Sequence, residues 1–254
     1  MKVSVVLLNW QRPRWLRWLI LPHLVRHPQV DEIVVSHGRK DTAFNFTSRH
    51  ARVVHREDWK LNPTYGLSLR FLAASEATNE SVLVADDDLV VEHRAITLLA
   101  QALEGQRGLL HGILGRTLSA DYEYQYGHHP IGPVPIMLTR AVMMDRSYAD
   151  LFLREAPKAE HLIVRGVPKW NGEDIYLSLL SILRSGDFPK AYDLKYWDVL
   201  MSSRGSILKT KVSDPSGLVL PHREYRRWFS RQVVDLLDLG PTIDALAERY
   251  AEQP

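Results

Sequence analysis

Asp86, Asp87 and Asp88 stand side by side after a short apolar run, Ser81-Val82-Leu83-Val84-Ala85. Three adjacent carboxylates repel one another unless a cation sits among them, and their oxygens suit Mg²⁺ or Mn²⁺. A hard divalent ion on such a rim can hold a diphosphate. The plainer alternative is that Asp87 or Asp88 opens the next helix as its cap. One carboxylate would suffice for that, and three after a buried strand favour the metal site.

The run that carries the acids has strand length and β-branched content, and it lacks the period of an exposed helix. Being apolar on both faces, it reads as a central strand of a covered, mostly parallel sheet. Ligands of such sheets bind beyond the carboxyl ends of the strands, which is where the acids fall. Val3 to Leu8 reads as the first strand of that sheet, and Asn9, Trp10 and Arg12 follow at its end. Pro13 suits the first turn of a helix. Trp15, Leu16, Leu19, Ile20 and Leu24 recur at helical spacing, with Trp15 and Trp18 read as packing residues and Pro22 as an interruption. A second strand over Asp31 to Ser36 completes a β-α-β unit. A weak third strand covers Arg52 to His55. Asn62-Pro63 starts a helix whose apolar stripe is Leu67, Leu69, Phe71 and Leu72.

Beyond Asp88 the pattern changes. Helices are predicted over Arg94–Leu103, Tyr148–Arg154 and from Asn171, as cap, through Leu183. Two more, Arg223–Leu239 and Thr242–Tyr250, close the chain. Short strands are expected at Leu109–Leu114 and Ile136–Thr139. Tyr122, Tyr124 and Tyr126 alternate as in an exposed edge strand, where they form either a sugar-stacking platform or a plain strand face. His128 and His129 sit in a Gly/Pro loop, as metal ligands or as solvent or acceptor contacts.

Composition bounds the class. The 254 residues are 45% hydrophobic and 24% charged, an ordinary globular balance with ample material for a core. With 32 basic and 30 acidic residues and a net charge of +2, nothing calls for a nucleic-acid partner. The absence of Cys removes disulfides and thiolate metal sites. No apolar stretch approaches the ~20 residues of a membrane span.

The order of these features resembles a known family. Strand β1 ending in Asn9-Trp10-x-Arg12, then Arg70-Phe71-Leu72, Val84-Ala85-Asp86-Asp87-Asp88, Tyr126-Gly127, Glu173-Asp174-Ile175 and His222-Arg223 are together similar to the C-terminal catalytic domain of exostosins, glycosyltransferase family 64. The resemblance runs from Val3 to about Leu237, and the ordered set is far more specific than the acid run alone. It implies an α/β GT-A glycosyltransferase fold in one catalytic domain. Residues 1–90 would form a Rossmann-like nucleotide-binding half, and residues 91–254 a more irregular acceptor-binding and catalytic half around a mixed sheet.

It further implies a metal-dependent, retaining transfer of a sugar, with N-acetylhexosamine expected, from a UDP-sugar to a glycan or glycoconjugate acceptor. By this analogy the donor nucleotide would meet Asn9, Trp10, Arg12, Asn62, Arg70, Asp86 and Asp87. Asp88 would bind Mn²⁺, or Mg²⁺ in its place. His222 with Arg223 or Arg226 would supply positive charge to the diphosphate, since guanidinium forks fit phosphate oxygens. Asp174, preceded by Glu173, would lie near the anomeric carbon. Trp10 serves equally as a core aromatic. Double displacement on a carboxylate and front-face transfer both remain open.

The chain also departs from the family. Ser68-Leu69 replaces a pair of Asn before the matching Arg, and Gly172-Glu173 replaces the residues before Asp174, so donor and acceptor are expected to differ from heparan-type substrates. The membrane-bound exostosins carry an anchor, a stem and cysteines, and a cytoplasmic bacterial or viral enzyme is expected here instead. Two rival readings are a catalytically silent carbohydrate-binding protein on the same frame and a nucleotidyltransferase. The second would call for a Gly-rich phosphate loop near β1, which is missing.

Overall fold

The computed structural model describes residues 1–127, 129–163, 169–199, 211–213 and 219–252. Continuous apolar runs become the centre of an eight-stranded mixed sheet. Strands β1 (Val3–Asn9), β2 (Val30–His37), β3 (Arg52–Arg56) and β4 (Ser81–Asp86) are its parallel half, in the order β3-β2-β1-β4. Every residue of β1 is buried, as are Ser81 to Ala85 of β4. This follows from a sheet covered on both faces. Helix α1, residues 13–24, crosses from β1 to β2, and α2 (Leu69–Ser75) precedes β4.

The other half of the sheet reverses direction. Short strand β5 (Leu89–Val91) leaves the acid run and pairs with β10 (Tyr196–Asp198) outside the main sheet. After α3 (His93–Gly105) come β6 (His111–Gly112), β7 (Gly132–Pro133) and β8 (Ala141–Asp145). Strand β8 runs antiparallel to both β4 and β6. The sheet closes with β9 (Lys190–Ala191), parallel to β6 and antiparallel to β7. Helices α4 (Ser147–Glu155), α5 (Glu173–Ser185), α6 (His222–Leu236) and α7 (Gly240–Ala251) pack around this half.

Several sequence expectations change. Pro22 does not end the first helix. Instead α1 passes through an α turn (Pro13–Trp15), a π turn (Leu16–Ile20) and a second α turn (Leu21–Leu24), with Pro22 in the first turn of the last, where a missing N–H is tolerated. The helix expected from Asn62 breaks at Gly66, whose φ is +51° and where a Cβ would come within 2.3 Å of the Lys169 carbonyl oxygen. Tyr122–Tyr126 is no strand: Tyr122 has φ +59°, and Tyr124 makes one isolated bridge to Leu118. Strand β8 went unread, although Ala141 to Met144 are all fully buried. Asn171 is not the cap of α5, since Gly172 holds that position. Of the two adjacent histidines, His128 lies outside the described residues, and His129 Nδ1 accepts from Arg116 Nη1 at 2.7 Å.

Candidate functional site

The strand ends dictate where the acids go. Strand β4 stops at Asp86 beside the end of β1, so the three carboxylates and the loop after Asn9 share one rim. They line a cleft of about 520 Å³. Its far wall comes from the start of α5 and the start of α6, with Asn171, Glu173, Asp174, His222, Arg223 and Arg226. Residues far apart in the chain therefore face one space.

Arginines balance the acid run. Asp87 turns toward the loop after β1, accepting from the backbone N–H groups of Trp10 and Gln11 at 3.1 and 3.4 Å and from Arg12 at 2.7 Å. It is the tie that fixes that loop. Asp86 accepts from Arg70 at 3.0 Å, and Arg70 also donates to the Thr139 hydroxyl at 2.7 Å. Asp88 lies between Arg12 at 3.2 Å and Arg140 at 3.3 Å, and Arg140 reaches on to Asp198 at 2.7 Å. Burial, together with the charge of Asp86, pushes the Asp88 carboxyl up to about 6 against the pull of Arg140 and Arg12.

The far wall holds a buried ion pair. Arg226 Nη2 donates to Asp174 Oδ2 at 2.6 Å, and both side chains are almost wholly buried. The other Asp174 oxygen accepts the Ile175 N–H at 2.9 Å. The Arg226 guanidinium lies over the Tyr124 ring, 4.4 Å from its centroid. Burial alone would lower the Arg226 pKa; the Asp174 charge outweighs it and holds the cation charged. Glu173 accepts from Thr139 at 3.0 Å and faces Arg70 at 3.6 Å, and burial pushes its carboxyl upward. Gly172 makes this wall close. Its φ is +143°, and a Cβ there would lie 2.7 Å from the Phe229 ring, so α5 and α6 meet only through a glycine.

His222 is pulled down to about 4 by burial and by the Arg226 charge, so it is neutral at neutral pH. A neutral ring donating from Nε2 to Asn171 Oδ1 (3.1 Å) leaves Nδ1 to accept from the Tyr126 hydroxyl at 3.4 Å. Asn171 Nδ2 and Arg70 Nε are buried and have no hydrogen-bond partner among the described residues. Arg223 is exposed at the mouth, over the Tyr126 ring at 5.2 Å.

Of the thirteen residues given donor, metal or catalytic roles from the sequence, eleven line this cleft: Trp10, Arg12, Arg70, the three acids, Glu173, Asp174, His222, Arg223 and Arg226. Trp10 does so while its ring packs on Gly38, serving both readings. Two do not line it. Asn9 is fully buried beneath the rim, donating to the Thr42 carbonyl at 2.8 Å with its Nδ2 also 2.8 Å from His37 Nδ1. Asn62 sits on the helical turn Asn62–Tyr65, away from the lining. The tyrosines divide: Tyr124 and Tyr126 line the cleft, whereas Tyr122 donates to Asp244 on α7. Sequence reasoning missed Arg140, Thr139, Arg116 and Asp198. The signal available for the first two was a polar pair, Thr139-Arg140, wedged between the apolar runs Ile136–Leu138 and Ala141–Met144.

The glycosyl transferase family 64 domain matches residues 3–212. The chain belongs to glycosyltransferase family 64. No curated protein matches it. Among solved structures it is similar to S. aureus TarS 1-349, with 14% identity and a TM-score of 0.49. That match takes in 78% of this chain and 60% of that one. Among the described residues no helix is long and apolar enough to cross a membrane.

Proposed function

We propose that the chain is a metal-dependent, retaining glycosyltransferase. It moves a sugar, N-acetylhexosamine first among candidates, from a UDP-sugar to a glycan or glycoconjugate acceptor. The observation that carries this is one cleft joining the acid run to the Asp174–Arg226 pair. Residues 1–90 supply the donor side and residues 91–254 the acceptor side of a GT-A arrangement.

Among the described residues there is no group of three or more His, Asp or Glu side chains able to hold a cation. That does not fit a cage built of protein alone. It fits an ion shared between one carboxylate and a diphosphate, the usual way a small hard cation binds phosphates. Asp88 would hold Mn²⁺ or Mg²⁺ in this manner. When bound, the ion supplies Lewis acidity to the departing diphosphate.

The protein's own groups do the rest. Arg12, Arg70 and Arg140 are cations already gathered at the donor rim, and Arg223 stands free of burial at the mouth to reach phosphate oxygens. His222, as a neutral base fixed by Asn171, serves as a hydrogen-bonding partner and not as a charge. Asp174 has both oxygens engaged, one by Arg226 and one by Ile175 N–H. A carboxylate held in this way suits electrostatic support of a cationic anomeric centre better than nucleophilic attack. This favours front-face transfer. The bond from the anomeric carbon to the diphosphate breaks, the acceptor oxygen bonds to the same face, and the acceptor proton passes to a diphosphate oxygen.

Calorimetry with UDP tests the reading. Asp88→Ala should abolish the Mn²⁺-dependent part of UDP binding, and unchanged affinity would refute the role given to Asp88. Asp174→Ala should keep UDP affinity while removing turnover across a panel of UDP-sugars. Loss of UDP binding in that variant would place the residue in the donor pocket instead.

A further inference from the structure

The first helix carries a surface that the donor chemistry does not use. Leu16, Ile20, Leu21 and Leu24 bury its inner side against the sheet. On the outer side Trp18 is 71% exposed, Trp15 43% and Leu19 40%. Residues 15, 18 and 19 are three and four apart, so their side chains lie together on one stripe. Packing does not account for them, contrary to the sequence expectation for both tryptophans. Arg14, Arg17 and Arg26 are exposed on the same helix and its exit, and the Arg17 guanidinium sits over the Trp18 ring, 5.0 Å from its centroid. Between Met1 and Val30 the chain has no Asp or Glu at all. From elsewhere, Glu92 acts on His23 near the C-terminal end of the helix, and Asp87 and Asp88 pair with Arg12 just ahead of its first turn.

Indole rings are at their best where an apolar medium meets water, and arginine side chains keep their charge at that depth while lying along apolar surface. A helix with Trp and Leu on one stripe, flanked by Arg and free of acids, has the makeup of a segment lying in the plane of a bilayer interface. The positive flank matches an anionic headgroup layer. We propose that the outer face of α1 docks the enzyme on a membrane surface rich in anionic lipid. Gln11 and Arg12, immediately before this helix, line the cleft. Docking therefore holds the cleft mouth beside the lipid surface, where an acceptor borne on a lipid would be presented. The docking itself stands apart from the donor chemistry and from the fate of Asp88.

Vesicle flotation of the full chain tests it, with vesicles of phosphatidylcholine alone or mixed with phosphatidylglycerol, at low and high salt. The wild type should float with the anionic vesicles, and high salt should weaken that binding. Trp15→Ser/Trp18→Ser should cut the bound fraction at constant lipid by at least tenfold, and Arg14→Gln/Arg17→Gln should remove the preference for anionic lipid. Both variants should keep the wild-type melting temperature and UDP affinity, because none of the four side chains is buried in the core or lines the cleft. No flotation of the wild type with anionic vesicles would overturn the proposal, as would unchanged flotation of the double Trp variant. So would light scattering that shows a wild-type dimer dissociated by the Trp substitutions, which would make a second copy the occupant of this face.

Discussion

Asp174 and Arg226 each take a full charge out of water, and neither is tolerable there without the other. Removing one partner of a buried pair strands the other, at a cost of about 3–5 kcal/mol. Arg226→Ala should lower the unfolding free energy by that amount in urea titrations, in addition to any loss of turnover. The reading from sequence reached both residues, but through their order along the chain and not through their partnership. Arg140 shows why a partnership is harder to read. Its carboxylate partners lie 52 and 58 residues away, at Asp88 and Asp198, and nothing local in Leu138-Thr139-Arg140 announces them. An Arg in a turn between two short strands looks solvated until the strands are placed. Asn62 erred in the opposite sense: an Asn-Pro pair signals a helix start equally well anywhere, and here it starts a turn outside the cleft.

At the scale of elements, continuous apolar runs were readable because both faces of the sheet are covered, and β1, β2 and β4 appear where expected. Strand β8 was not, although it is as apolar as its neighbours. Five residues, two of them Met, carry too little β-branched content to stand out, and its place was fixed by pairing with β4. The junction of α5 with α6 was equally invisible, since it depends on the space left by one missing Cβ. Gly172→Ala would set a methyl group against Phe229 and impose a backbone conformation that L side chains avoid. Overpacking of this kind costs about 1–3 kcal/mol. The expected result is a folded protein with a lower denaturant midpoint and an impaired Asp174–Arg226 contact. An unchanged midpoint and unchanged turnover would show that the two helices part freely.

The whole molecule inherits a pH dependence from its neutral histidines. Burial first, then the His55 ring beside His37 and the Arg226 guanidinium beside His222, brings both histidines down to about 4 from the ordinary value of 6.5. The unfolded chain therefore binds protons at these sites over a range where the folded one does not. Their contribution is complete above about 6.5 and is lost as pH falls toward about 4, up to about 3 kcal/mol each. Urea unfolding from pH 7 to pH 4 should show falling stability across this window, and His222→Gln should flatten the slope.

The reversal of β8 relative to β4 bears on how this scaffold can change. Chain departing from the sheet at Asp86 and chain arriving at Ala141 meet at one edge, so the pocket is bordered by traffic in both directions. A longer or shorter stretch ahead of Ala141 would reposition Thr139 and Arg140 without touching the parallel strands that hold the acids. Evolution, or an engineer, can therefore retune one bank of this cleft while the opposite bank keeps its shape.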